Sequence, residues 1–158
     1  MKLPVRAENV GVFLIDKKRR IFCVHNARGF NPPGGAVETN DFSYFSAASR
    51  EFVEESGSKL PLAQHQMSCA VYKNRARTAV IFYNRYALDE TSCKNLIEDY
   101  SRKKIKFGET SDVAFVPLQI LAHQSNAIIQ GERYFVRGRI ARFVPRVSRF
   151  LEKILNSP

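Results

Sequence analysis

The stretch from Pro33 to Gly57 constrains the fold more than any other part of the chain. It opens with a turn that contains two adjacent glycines and closes with a segment rich in carboxylates. In an α-helix, at about 100° per residue, Glu51, Glu54 and Glu55 fall within an arc of about 100°. The apolar residues gather on the other side of this helix: Phe45, Ala48, Phe52 and Val53. The pattern predicts a helix over about residues 42–56, with one buried and one carboxylate face, and with the final glycine as its stop.

Three glutamates on one helical face repel each other at neutral pH, and a like-charge pair four residues apart costs about a few tenths of a kcal/mol. A divalent cation offsets this repulsion, because Mg²⁺ typically binds a few carboxylates together with substrate phosphates. The neighbouring Gly34 and Gly35 allow the backbone to approach a ligand closely and to present N–H groups to an anion. Carboxylates for a metal beside amides for phosphate indicate chemistry on a polyphosphate.

These residues resemble the signature of the Nudix hydrolases, G-x5-E-x7-R-E-U-x-E-E-x-G-U, where U is aliphatic. Gly35 matches the first glycine, and residues 50–57 match the second half. The resemblance implies cleavage, with Mg²⁺ or Mn²⁺, of the pyrophosphate in a nucleoside diphosphate linked to another group. It implies that Glu51, Glu54 and Glu55 are metal ligands. It also places Glu54 and Arg50 in the catalytic machinery, with Arg50 holding a glutamate in place.

The chain departs from this signature at three places. The first glutamate falls at Asp41, and eight residues rather than seven separate it from Arg50. Phe52 and Ser58 occupy positions that the signature gives to aliphatic residues. Because aspartate is well suited to cap a helix, Asp41 is either the acid of the signature or only a helix cap.

Candidate site residues also lie outside the signature. The loop before the glycines carries Arg28 and Phe30, which we take as substrate-binding candidates. The resemblance implies an aromatic residue before the glycines, and Phe30 either serves there or only packs. It further implies an acidic general base or extra metal ligand in a loop near the site. Glu109 is the first candidate and Asp112 the second; the alternative is an exposed acid that precedes a strand.

Hydrophobic runs elsewhere predict strands. We expect strands over 9–16 and 21–25 to form a hairpin, strands over 66–72 and 78–88 to pair antiparallel, and a further strand over 113–118. Residues 89–106 predict a short helix or long loop, and an amphipathic helix follows Pro145. These patterns give only a mixture of α and β, in one domain over 1–158. The resemblance implies a three-layer α/β/α sandwich with a mixed sheet.

The net charge of +10 and the pI of about 9.8 contrast with the acidic candidate site. Residues 131–158 alone hold seven basic residues against two acids. The excess is either solvated surface or a field for polyanions such as RNA, a phosphorylated small molecule or an anionic membrane surface. Three scattered cysteines indicate neither a disulfide framework nor a zinc site. The absence of a long apolar run or signal-peptide core predicts an intracellular protein, cytoplasmic or nuclear, without membrane insertion.

Three functions follow from these observations. The first is hydrolysis of a nucleoside diphosphate sugar such as ADP-ribose. The second is hydrolysis of the 5′ cap of RNA, which the arginine excess favours and which would weaken steeply with salt. The third is a Nudix-fold module that binds a nucleotide or RNA without cleaving it, supported by the displaced Asp41. Dinucleoside polyphosphates and inositol pyrophosphates remain open as substrates.

Overall fold

A computed structural model of the chain describes residues 6–26, 29–73, 78–102, 110, 112–117, 126–129 and 132–135. Two α-helices and nine strands lie in these ranges, with a 3₁₀ turn at Gln64–Gln66: β1 Asn9–Phe13, β2 Arg20–Asn26, β3 Gly29–Asn31, β4 Gly34–Ala36, α1 Tyr44–Ser56, β5 Met67–Lys73, β6 Thr78–Asn84, α2 Glu90–Arg102, β7 Asp112–Pro117, β8 Asn126–Ile129 and β9 Glu132–Phe135. The predicted helix after Pro145 lies outside the described residues.

The strands form a four-stranded sheet, a three-stranded sheet and a two-stranded ribbon. The four-stranded sheet has the order β4–β1–β6–β5 and is mixed, since β1 and β6 are parallel while its other pairs are antiparallel. The three-stranded sheet has the order β3–β2–β7 and is antiparallel. The predicted antiparallel pairing of β5 with β6 is confirmed, with Met67 opposite Asn84.

The predicted hairpin between the first two strands is confirmed only beside its turn, and β1 and β2 themselves do not pair with each other. β1 pairs with β4 and β6, whereas β2 pairs with β3 and β7. Asp16 does reverse the chain, because its carboxylate accepts hydrogen bonds from the backbone N–H and the Nε of Arg20. An antiparallel bridge joins Ile15 to Ile21 beside this turn. Beyond it, the two segments enter different sheets with partners that are distant in sequence.

One buried cluster joins both helices to both sheets. α1 contributes Ala47, Ala48 and Phe52, and the ring centroid of Phe52 lies 6.0 Å from that of Phe22 on β2. The other members come from α2, the strands and residues that flank β1: Leu96, Tyr100, Ala7, Val10, Val12, Leu14, Val24, Met67, Val80, Phe82, Val113 and Phe115. Alternate strand residues on the opposite face are also buried, among them Phe13, Ile15, Ile21 and Cys23. Both faces of the strands are therefore covered, as the predicted α/β sandwich requires.

Helix α1 ends where its sequence predicts but begins two residues late. Ser43 is the N-cap, and its side chain and that of Ser46 accept hydrogen bonds from each other's backbone N–H groups. Gly57 follows the helix at φ 64°, the left-handed conformation that favours glycine. Val53, which the pattern placed on the buried face, is 52% exposed. No helix in the described part of the chain is long and apolar enough to cross a membrane.

Candidate active site

The glycine turn packs directly against the carboxylate end of α1. Antiparallel pairing with β1 sets Gly34 opposite Gly11 and Gly35 opposite Val10. A Cβ atom at Gly34 would overlap the backbone carbonyl oxygen of Val10, and one at Gly35 would lie 2.5 Å from the carboxylate carbon of Glu51. Gly34 therefore requires glycine for β4 to pair this closely with β1, whereas a Cβ at Gly35 would displace the Glu51 carboxylate from its place beside β4.

The backbone amide of Gly34 is part of this contact. Its N–H donates to Oε1 of Glu55 at 2.8 Å. The sequence predicts that the backbone amides of the two glycines bind phosphate. In the structure, the amide of Gly34 already donates to a carboxylate. For this amide to bind phosphate, Glu55 must first release it.

Arg50 and Asp41 form a paired hydrogen bond beside the turn. Nε and Nη2 of Arg50 donate to the two carboxylate oxygens of Asp41 at 3.0 and 2.9 Å. Asp41 also accepts the backbone N–H of Glu38 at 2.8 Å. The Arg50 hydrogen bond, followed by that of Glu38, lowers the pKa of Asp41 below its usual value. The bond to Asp41 is also the main cause that raises the pKa of Arg50.

The interpretation of Asp41 as a helix cap is wrong, because Ser43 caps α1. Asp41 instead pairs with Arg50, the arginine of the signature. It does so although its side chain is one methylene shorter than that of glutamate and the segment between the two residues is one residue longer than in the signature. The extra residue is accommodated because the chain from Asp41 to Ser43 is not helical, so that Asp41 is free of the helical register.

The other edge of the guanidinium reaches two of the three signature glutamates. Nη1 of Arg50 donates to Glu51 at 3.0 Å and to Glu54 at 3.3 Å. The Glu51 side chain is only 15% exposed, whereas that of Glu54 is 58% exposed. Burial raises the pKa of Glu51, and the Arg50 hydrogen bond opposes this rise. Arg50 thereby offsets part of the repulsion within the carboxylate cluster.

The donor set fits a hard divalent cation in chemistry. Three carboxylates on successive turns of one helix supply the oxygen ligands that Mg²⁺ and Mn²⁺ prefer. As the side chains lie, Glu51 and Glu54 turn to Arg50 and Glu55 turns to Gly34. Within the described ranges, no three His, Cys, Asp or Glu residues converge on a point that would hold a metal ion. Metal binding therefore requires these side chains to reorient, which the exposure of Glu54 permits.

The remaining candidates are less close to this cluster or lie beyond the described ranges. Phe30 is fully buried, and its ring centroid lies 4.7 Å from that of His25, which favours the packing alternative over substrate contact. Asp112 begins β7 opposite His25 and accepts the N–H of Val113 at 2.8 Å. Arg28 and Glu109 fall outside the described residues.

Two contacts of Arg50 were not anticipated from the sequence. The backbone carbonyl of Ala36 accepts Nη2 at 3.1 Å, and Oε1 of Glu38 lies 3.5 Å from Nη1. The signature assigns no role to these positions. The available signal was Asp41 itself, because an aspartate side chain can accept a hydrogen bond from a nearby backbone N–H, here that of Glu38, and so close a turn.

Comparison with known proteins identifies the family to which the chain belongs. A family model described as the NUDIX domain matches residues 5–137. The chain therefore belongs to the NUDIX family, which confirms the resemblance seen in the sequence. The predicted class of enzyme, a hydrolase of phosphorus-containing anhydrides, agrees with this membership. No curated protein sequence matches the chain.

Solved structures with low sequence identity share the fold. The MutT protein from Methanosarcina mazei Go1 is 16% identical with a TM-score of 0.55, covering 94% of this chain and 97% of that one. The pyrophosphohydrolase BsRppH from Bacillus subtilis is 17% identical with a TM-score of 0.54, covering 97% and 87%. DR0079 from Deinococcus radiodurans is 15% identical with a TM-score of 0.54, covering 89% and 82%. At these identities the likeness shows the fold, an α/β Nudix sandwich.

Proposed function

We propose that this protein is a metal-dependent pyrophosphohydrolase that cleaves the diphosphate of a nucleoside diphosphate linked to another group, such as ADP-ribose. The observation that carries the proposal is the packing of the glycine turn on α1. This packing fixes Glu51 and Glu55 beside the backbone of β4 and leaves Glu54 exposed to a ligand. Carboxylates held in this way beside backbone amides suit a substrate that arrives as a metal–diphosphate complex.

Glu51, Glu54 and Glu55 are the residues that would hold Mg²⁺ or Mn²⁺. Once bound, such an ion would neutralise the charge that develops on the diphosphate and would lower the pKa of a bound water. The partial burial of Glu51 strengthens its interaction with any cation that reaches it, because electrostatic interactions are stronger in a less polar environment.

Arg50 acts as a positioning residue in this proposal. Asp41 fixes one edge of the guanidinium through two hydrogen bonds, so the other edge points at Glu51 and Glu54. Planar arginine suits this task because its donors are held in a rigid fork. Arg50 thus keeps Glu51 oriented and limits the repulsion among the glutamates before a metal binds.

The remaining roles follow the family resemblance. A carboxylate near the site takes the proton of the attacking water; Glu109 is our candidate, with Asp112 second. Gly35 and Arg28 would contact substrate phosphates, together with Gly34 once Glu55 moves. We retain residues 1–158 as one domain and an intracellular location as parts of the proposal.

A second candidate function is hydrolysis of the RNA 5′ cap. The net charge of +10 favours it, because the carboxylate site itself is acidic and the excess of lysine and arginine must lie on other surfaces. The third possibility, a module that binds without cleavage, loses its main support. The displaced acid Asp41 holds Arg50 through two hydrogen bonds, so the departure from the signature leaves this pair intact.

The test is product formation with Mg²⁺ or Mn²⁺ from ADP-ribose, a dinucleoside polyphosphate and a capped RNA, each at low and moderate salt. We expect AMP from ADP-ribose at a rate that changes little with salt. Preferential release of the cap nucleotide, falling steeply with salt, would instead establish decapping. Tight binding of any substrate with no turnover would establish the binding module.

Charge reversal at Arg146, Arg149 and Lys153 separates the first two outcomes further. If the C-terminal segment binds RNA, the triple variant loses activity on capped RNA and keeps activity on ADP-ribose. Equal loss on both substrates would reject an RNA-specific role for these residues.

A further inference from the structure

A cavity of about 830 Å³ lies at the start of α1, away from the glutamates. It is bounded by the first turn of α1, the 3₁₀ turn, the start of β5 and the end of β6. Its volume lies in the range of roughly 300–1,000 Å³ that is typical of small-molecule sites. Of the described residues proposed above for metal or substrate binding, none lines it.

This cavity is separate from the candidate active site. Tyr44 lines the cavity and Glu54 belongs to the carboxylate cluster, ten residues further along the same helix. At 1.5 Å per residue, about 15 Å of helix separates them. A diphosphate held at the glutamates therefore does not itself occupy the cavity.

Aromatic side chains form much of the cavity wall. Tyr44 and Phe45 of α1 and Phe82 of β6 line it on the face of the sheet that α1 covers, whereas the adjacent Tyr83 points to the other face of β6. The ring centroids of Phe45 and Phe82 lie 5.4 Å apart at an interplanar angle of 77°, and the hydroxyl of Tyr44 accepts the N–H of Ala7 at 2.9 Å. These contacts hold the rings in place before a ligand arrives. Preorganised aromatic walls favour a flat, largely apolar group such as a nucleobase.

The polar part of the lining combines neutral serine and glutamine residues with two basic ones. Arg85 and His65 contribute to it and are both exposed, and no aspartate or glutamate is among the described residues around the cavity. Nε of Arg85 donates to Ser68 at 3.2 Å, which anchors the guanidinium at the rim by one of its five N–H donors. An anchored guanidinium is well suited to bind a phosphate through two parallel hydrogen bonds.

We propose that this cavity binds a mononucleotide, with the base against the aromatic wall and the phosphate on Arg85. The cavity has the size for both parts, and its charge is opposite to that of the phosphate. The proposed site is independent of hydrolysis at the glutamates, and it needs no metal ion.

The test is a calorimetric titration of AMP into the metal-free full chain in the presence of a chelator. Arg85→Glu is the test variant, and Arg102→Glu is the matched control, because Arg102 is an exposed arginine on α2 that does not line the cavity. We expect saturable binding by wild type, weakened about tenfold or more by Arg85→Glu and unchanged by Arg102→Glu. Adenosine and inorganic phosphate, each carrying only half of the ligand, are expected to bind more weakly than AMP.

Cys69→Phe provides a second variant that fills the cavity without changing charge, and it is expected to weaken AMP binding as well. Equal melting temperatures of the variants establish that the fold is retained. Equal effects of the two arginine substitutions, or loss of AMP binding in Glu54→Gln with Arg85→Glu unaffected, would overturn the proposal. Because no turnover is measured, an inactive enzyme cannot be mistaken for failure of this site.

Discussion

The two ends of helix α1 meet the rest of the protein in opposite ways. At the end of the helix, the contact with β4 is so close that a Cβ at Gly35 would meet the Glu51 carboxylate, and Glu51, Glu54 and Glu55 all accept hydrogen bonds. At its start, the helix borders a cavity of about 830 Å³. The close end holds reactive groups in fixed positions, whereas the open end leaves space for a ligand. One helix can therefore serve two sites whose requirements differ.

The largest effect is expected at the close end, for Glu54→Gln. Removing one proposed metal ligand should lower turnover by about a hundredfold or more. The fold should be retained, because the Glu54 side chain is 58% exposed. Steady-state hydrolysis and a melting curve measure the two properties. Glu98→Gln on α2, which also removes a helical glutamate with arginine and lysine neighbours, is the control and should retain full activity. Near-normal activity of Glu54→Gln would refute the site assignment.

A glycine series measures how closely β4 packs against β1 and against the carboxylate end of α1. Gly34→Ala forces a Cβ onto backbone atoms of Val10 and Gly11, and we expect it to lower the free energy of unfolding by about 3 kcal/mol. Gly35→Ala meets only the carboxylate of Glu51, so a loss of about 1 kcal/mol with reduced activity is expected. Gly11→Ala is the control, since its nearest atom would be 3.6 Å away. Urea unfolding that ranks the three variants equally would contradict this packing.

The Asp41–Arg50 pair gives a pH-dependent signature. The pKa of Asp41 is lowered in the folded state, so its contribution to stability is present above its unfolded pKa of about 3.9 and is lost as the pH falls through the lower folded value. The difference in free energy of unfolding between wild type and Asp41→Asn should therefore be greatest at neutral pH and should decrease as the pH falls below about 4. Urea unfolding from pH 7 to pH 3 measures it.

Asp89→Asn is the comparison for this experiment, because hydrogen bonds from Ser92 also lower the pKa of Asp89. It should show the same pH trend and leave hydrolysis unchanged, whereas Asp41→Asn frees Arg50 and lowers activity. A gap that is constant with pH, or equal effects of both variants on hydrolysis, would count against the role given to Asp41.

The smallest effect is expected at the open end, for Ser43→Ala. This change removes the N-cap of α1 and should lower the free energy of unfolding by about 1 kcal/mol. Hydrolysis should be unaffected, because the cap lies at the opposite end of the helix from the glutamates. Ser49→Ala within α1 is the matched control and should be nearly neutral. If Ser43→Ala abolished hydrolysis without unfolding the protein, the two ends would not be independent.

The sequence predicts features that depend on neighbouring residues better than features that depend on segments far apart in the chain. Helical periodicity and the signature identified α1, its stop at Gly57 and its carboxylate face, because these depend on residues a few positions apart. The partner of Arg50 was left open, since a one-residue insertion before α1 can be judged only from the path of the loop. The first hairpin forms only beside its turn, because Asp16 reverses the chain without deciding which sheet each strand joins. The cavity depends on β5, β6 and α1 together, and no local pattern indicates it.

Binding of Mn²⁺ to the substrate-free protein tests the central claim most directly. Electron paramagnetic resonance counts free Mn²⁺ in a titration and needs neither substrate nor turnover. We expect saturable binding by wild type and Glu98→Gln, and affinity about tenfold or more lower in Glu54→Gln. Equal binding by all three proteins would show that the carboxylate end of α1 is not the metal site.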